Sequence, residues 1–145
     1  MASGSSLDVS ALLHALDNDT NSAVAETTTA EIQRQKNDML QRLQLRGEEL
    51  RKLHRTLKHY RYVEELAEVL PGRYIRWIPL RDPANIRLTN GGIVCDIQCT
   101  LDSVKITCRN RTNRMFSLRL DECLVFQRLT DQERVILAAM DHLAT

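Results

Sequence analysis

The chain of 145 residues, 43% hydrophobic but only 4% aromatic, has room for one ordinary domain with an aliphatic core, plus an appendage. Its formal net charge of +1 excludes a uniformly basic or uniformly acidic protein. No apolar run approaches the ~20 residues that span a bilayer, and the start MASGSSLDVSALLHALDNDT lacks the features of a secretory signal; an intracellular protein with reduced cysteines, cytoplasmic or nuclear, is the expectation.

Residues 1–28 are rich in Ser, Asp, Asn, Thr and Ala and read as a disordered tail. Within them Leu7, Leu12, Leu13 and Leu16 line one face of a possible short helix, of the kind that docks in a partner groove. Thr28 and Glu31 have the spacing of a capping box, and few helix breakers follow before Pro71, so a long helix is predicted over 29–70. Met39, Leu43, Leu50, Leu53, Leu57 and Tyr60 recur at heptad offsets, a coiled-coil-like seam of about three heptads interrupted by Arg46. At 1.5 Å per residue such a helix runs roughly 60 Å. It is too long to bury its stripe on one small domain, so these six residues become candidate association residues for a homo-oligomer or a protein complex. Gly47 is the weak point, and a break there into a hairpin of two shorter helices is the competing arrangement.

Pro71-Gly72 ends the helical pattern, and period two follows. In RYIRWIPL, Ile75 and Trp77 share the inward face with Arg73, while Tyr74, Arg76 and Ile78 share the other. ANIRLT and IVCDIQC flank Asn90-Gly91, a strong hairpin signal, with Ile93, Cys95, Ile97 and Cys99 on one face. VKITCR, MFSLRL and CLVFQRL supply further short strands. Five or six antiparallel strands over 71–129 imply a small, strongly bent barrel of SH3-like or Sm-like build, since closure removes exposed edges. Thr130 and Glu133 open a C-terminal helix over 130–145, whose Val135, Ile136, Ala139, Met140 and Leu143 are expected to pack on the barrel. The fold class is α+β.

Charge is unevenly placed. Residues 71–120 hold nine Lys and Arg against three Asp and Glu, whereas residues 1–30 hold four acidic groups and no basic one. Arg73, Arg76, Arg81, Arg87, Lys105, Arg109, Arg111, Arg114 and Arg119 therefore crowd one small domain beside Tyr74 and Trp77. Arginines on a sheet with nearby aromatics can hold a single nucleic-acid strand, and the turn RNRTNR has the makings of a backbone clamp. The same arginines also suit an acidic protein partner. No nucleophile elbow, phosphate loop, GxGxxG or HExxH occurs. Cys95 and Cys99, four apart on one strand, lie ~13 Å apart in extended chain, too far for one tetrahedral zinc. No metal, cofactor, small-molecule substrate, membrane association or enzymatic activity is expected.

The order of a helix followed by five strands is similar to that of Sm-like proteins, whose signature residues around the second and third strands are absent here. PGRYIRWIPL and LTNGGIVCDI, closed by FQRLTDQE, resemble small uncharacterised proteins of large nucleocytoplasmic DNA viruses over residues 71–145; that resemblance implies a virion component or assembly factor. Two functions are consistent with this sequence. One is a structural assembly protein that associates through residues 29–70 and docks its basic barrel on a protein. The other is a nucleic-acid-binding module that uses the arginine-rich sheet.

Overall fold

Alternating strands dominate the centre of the chain. The computed structural model describes residues 8–145. Six strands, β1 Tyr60–Val63, β2 Tyr74–Pro79, β3 Gly92–Cys99, β4 Val104–Arg109, β5 Met115–Arg119 and β6 Cys123–Arg128, form one antiparallel sheet in the order β1-β6-β2-β3-β4-β5. Among the described residues four α-helices accompany them: α1 Val9–Asp17, α2 Thr29–Gln41, α3 Gly47–Thr56 and α4 Asp131–Leu143. The α+β class therefore stands, but the sheet does not close into the expected barrel. Its two outermost strands, β1 and β5, remain edges.

One face of the sheet builds the main core. Val63, Ile75, Trp77, Val94, Ile106, Cys108, Leu118 and Val125, drawn from all six strands, cluster with Val69. The period-two pattern thus places Ile75 and Trp77 inside, and burial pushes the Cys108 thiol up to about 12. A β-bulge between Val94 and Asp96 shifts the register of β3 against β4. Across a bulge one residue is unpaired and the inward face changes parity. Val94 accordingly points inward and Ile93 outward, with Ile97 packing inward beyond the bulge; the single face assigned above to Ile93, Cys95, Ile97 and Cys99 is corrected.

The long helix is absent. α2 stops at Gln41, Gln44 adopts a left-handed φ of 54°, and α3 begins at Gly47. Glu48 and Glu49 in its first turn and His54 and Arg55 in its last complement the helix dipole. The chain then leaves the helix at Leu57 and enters β1, where the aromatic and β-branched run YRYV suits a strand and pairs with β6. The coiled-coil-like seam is used within the chain. Met39, Leu43, Leu50 and Leu53 pack, with buried Leu40, Leu57 and Tyr60, onto Ile78, Leu124 and Phe126 of the opposite sheet face. Heptad spacing marks any continuous apolar stripe that meets one surface, and here that surface is the sheet. Association through a 29–70 rod is therefore withdrawn.

The segment ANIRLT is not a strand. Residues 80–91 form an irregular connection that returns along β2: Thr89 N donates to Trp77 O at 2.9 Å, and Trp77 N donates to Thr89 Oγ1 at 3.2 Å. Ile86 and Leu88 of this connection join the helix-covered cluster.

The chain divides into two compact units, with the boundary inside α2: Lys36–Arg128, and the residues up to Gln35 together with Leu129–Thr145. In the latter, Ala15, Val24, Ile32, Ile136 and Leu137 form a small core of their own. Thr130 and Glu133 make the expected capping box, and Asp141 of α4 caps α2 by accepting from Thr29 N at 2.8 Å and Thr29 Oγ1 at 2.6 Å. The apolar stripe of α4, assigned above to the barrel, is thus used against α1, α2 and the turn between them. Of the tail residues assigned to 1–28, Val9–Asp17 are helical with Leu12 half-buried and Leu13 and Leu16 exposed; Leu7 lies outside the described residues. No helix of the described residues is long and apolar enough to cross a membrane.

Candidate functional site

At one end of the sheet a cleft of about 540 Å³ is lined by Tyr60, Tyr74, Arg76, Asn90, Gly91, Asn110, Arg111, Thr112 and Arg128. Its floor follows from strand register. Tyr60 of β1 pairs with Arg128 of β6, and Ile75 of β2 pairs with Gln127, so Arg128 continues the same register opposite Tyr74. Tyr60, Arg128, Tyr74 and Arg76 thus share the sheet face opposite the main core. Burial pushes the Tyr60 hydroxyl above its ordinary pKa, while the neighbouring charges of Arg76 and Arg128 pull it back.

Two loops form the walls. On one side Asn90 O accepts from Tyr74 Oη at 2.5 Å, and Arg76 Nε donates to Thr89 O at 2.8 Å. That bond fixes the root of the guanidinium, which lines the cleft beside Tyr60. Gly91 has φ +84°, and a Cβ there would meet Ile75 O at 2.2 Å; only glycine lets this wall lie so close to β2.

The opposite wall is the turn between β4 and β5, organised by one side chain. Asn110 Oδ1 accepts from Thr112 N at 3.0 Å, Thr112 Oγ1 at 2.9 Å and Arg114 N at 2.9 Å. Asn110 N donates to Arg114 O at 3.0 Å, and Asn113 takes the left-handed φ of 62°, which Asn tolerates well. This turn is the RNRTNR motif. It holds Arg111 over the cleft and leaves Arg114 exposed.

The electrostatics are one-sided. None of the lining residues is acidic, and among the described residues neither Arg76, Arg111 nor Arg128 forms an ion pair. Some guanidinium groups elsewhere are paired. Arg61 is buried and paired with Glu68, and Arg119 lies 3.5 Å from both Asp121 and Glu122. Three cations held together without a counter-charge repel one another, and an anionic ligand relieves that repulsion.

The other residues proposed from sequence are dispersed. Arg73 lies half-buried before β2. Arg87 lines two shallower grooves beside the 80–91 connection, one of them shared with Arg81. Lys105 and Arg109 are exposed on β4. Arg128 was not singled out by sequence, and Asn90 and Asn110 were read only as turn residues. Arg128 lies outside the 71–120 segment over which charge was summed, and the alternation of Leu124, Phe126 and Arg128 was the signal that could have marked its face.

Among the described residues no three His, Cys, Asp or Glu side chains come together as a metal-binding group. Cys95 and Cys99 are both exposed on β3, and Cys123 is half-buried, its thiol pushed up to about 11 by burial. Comparison with protein-family models, with curated proteins and with solved structures finds no match.

Proposed function

We propose that this chain is a non-enzymatic nucleic-acid-binding module that holds the phosphate backbone of a single strand in the Arg76–Arg111–Arg128 cleft. The observation that supports this reading most directly is the convergence of three guanidinium groups, none ion-paired among the described residues, on a cleft without a carboxylate. Guanidinium nitrogens match phosphate oxygens in bidentate geometry. The cleft of about 540 Å³ is within the usual range for a small-ligand pocket. It suits one nucleotide of an opened strand. Asn90 and Asn110 at the rim offer side-chain groups to a sugar or base edge, and a single strand exposes those edges.

The test is fluorescence anisotropy with labelled oligo(dT) and oligo(U) of twelve nucleotides at 50 and 200 mM salt. One phosphate neutralised on a single strand gives a log–log salt slope of about −0.7, or roughly a 2.5-fold loss of affinity over that range, and each further phosphate contacted adds as much to the slope. The double variant R111E/R128E should bind at least tenfold more weakly and with a shallower slope. Absence of binding at 50 mM salt, or binding by R111E/R128E equal to that of the parent, overturns the reading. A polyglutamate competitor should displace the oligonucleotide poorly; displacement at equal charge concentration would assign the cleft to an acidic polypeptide instead.

A further inference from the structure

The cleft is one end of a longer row. On the sheet face opposite the main core, Tyr74 pairs with Ile93, Ile93 with Arg109, and Arg109 with Met115. These four side chains stand side by side across β2, β3, β4 and β5. Ile93 is 39% and Met115 56% exposed, large values for apolar side chains, and Arg109 between them is exposed without an ion pair among the described residues. The bulge after Val94 makes this arrangement possible, because it turns Ile93 outward while Ile97 returns inward.

The next two rows of the same face differ. Asp96, Thr107 and Ser117 form the second, which carries a carboxylate and a hydroxyl pair at 3.3 Å. Gln98, Lys105 and Arg119 form the third, where Arg119 is occupied by Asp121 and Glu122. Only the first row combines exposed apolar groups, an available cation and no carboxylate, and only the first row runs into the cleft.

On the reading that the cleft holds a nucleic-acid phosphate, we infer that the Tyr74–Ile93–Arg109–Met115 row is the track along which the rest of the strand lies, perpendicular to the β-strands and towards edge strand β5. Ile93 and Met115 contact base faces, and Arg109 meets the next backbone phosphate. Three strand spacings of ~4.8 Å make the row about 14 Å long, room for roughly two to four nucleotides beyond the one in the cleft, depending on how far the strand is stretched. Charge complementarity and continuity with the cleft favour a single-stranded nucleic acid over an apolar peptide, for which Arg109 would be a buried unpaired charge.

A length series distinguishes the track from the cleft. Affinities of 5′-phosphorylated oligo(dT) of one, two, four and eight nucleotides are measured at 50 mM salt. The track requires a gain well above the statistical factor between two and four nucleotides, at least tenfold, and a plateau by eight. R109E and M115E should lower the ratio of octamer to dinucleotide affinity by about tenfold, with circular dichroism and Tm confirming that each folds; T107A, in the second row, serves as the control and should not change that ratio. Equal affinity for dinucleotide and octamer overturns the track and leaves the cleft reading intact. Loss of binding at every length overturns both. An unchanged ratio in R109E and M115E assigns the length gain to another surface.

Discussion

The outward face of the sheet is two surfaces built on one lattice. Over β1, β6 and β2 it carries Tyr62, Leu124, Phe126 and Ile78, and the stripes of α2 and α3 bury them. Over β3, β4 and β5 it carries Ile93, Asp96, Gln98, Lys105, Thr107, Arg109, Met115 and Ser117, mostly exposed. Both halves have the same period and adjoining strands. The comparison shows that the helices settle where the outward positions are large and apolar, and that charge in those positions keeps the other half bare. The cleft lies where the two regimes meet: Tyr60 belongs to the covered cluster, while Arg111 belongs to the exposed turn.

The most direct way to break this comparison is to damage each half equally and measure stability. Phe126 is fully buried and sits edge-on to Tyr62, with ring centroids 5.8 Å apart. Phe126→Ala should cost about 3–5 kcal/mol, whereas Met115→Ala on the bare half should cost less than about 0.5 kcal/mol. Urea denaturation of both variants checks the contrast. A loss above 2 kcal/mol for Met115→Ala would show that the bare half is covered in solution.

A smaller effect comes from the charge inside the covered half. Lys36 is fully buried, with Nζ donating to Leu57 O at 2.8 Å and Tyr60 O at 2.9 Å. It ties α2 to the chain as it leaves α3 and enters β1. Burial lowers its pKa from 10.5 to about 8. Because the folded value lies below the unfolded one, the unfolded chain binds more protons between pH 8 and 10.5, so stability rises with pH across that window. Below pH 8 both states are protonated and the burial cost is carried in full; its removal is worth on the order of 3 kcal/mol. Lys36→Met lacks this titration. The stability of the parent relative to Lys36→Met should therefore rise between pH 8 and 10.5, as followed by denaturation at half-unit steps. A constant difference would mean that the ammonium keeps its ordinary pKa despite its burial.

Much of the sheet was legible because its signal is local. Ile75 and Trp77, or Ile106 and Cys108, alternate with polar residues in a way that only a half-buried strand explains, and the capping box of Thr130 needs four residues to recognise. What failed depended on contacts distant in sequence. Leu43, Leu50 and Leu57 have a spacing common to a coiled-coil seam and to a helical hairpin lying on a sheet. Gln44, the residue that takes the left-handed turn between the two helices, carries no turn signature, and Gly47 alone marked the break. The bulge at β3 was equally hidden, since Cys95 looks like one more alternating residue, yet it decides that Ile93 faces out. For the site, the RNRTNR turn and Arg76 were visible as basic residues. Their convergence with Arg128 was not, because it depends on β6 returning between β1 and β2.

The sharpest form of the comparison uses residues whose removal should cost the fold nothing. Arg111 and Arg128 are both exposed and lack ion pairs among the described residues, and Arg76 shares their cleft. Arg111 and Arg128 therefore contribute like-charge repulsion to the folded state with no ion pair among the described residues to offset it, the pattern expected where binding rather than stability sets the residue. Arg128→Gln and Arg111→Gln should leave the unfolding free energy unchanged or raise it by up to about 0.5 kcal/mol, most visibly at low salt, where screening is weakest. The same variants should weaken oligonucleotide binding, so stability and affinity move in opposite directions. Were Arg128→Gln instead to destabilise the chain by more than about 1 kcal/mol, its guanidinium would be holding β6 against Tyr60, and the cleft would owe its charge to architecture.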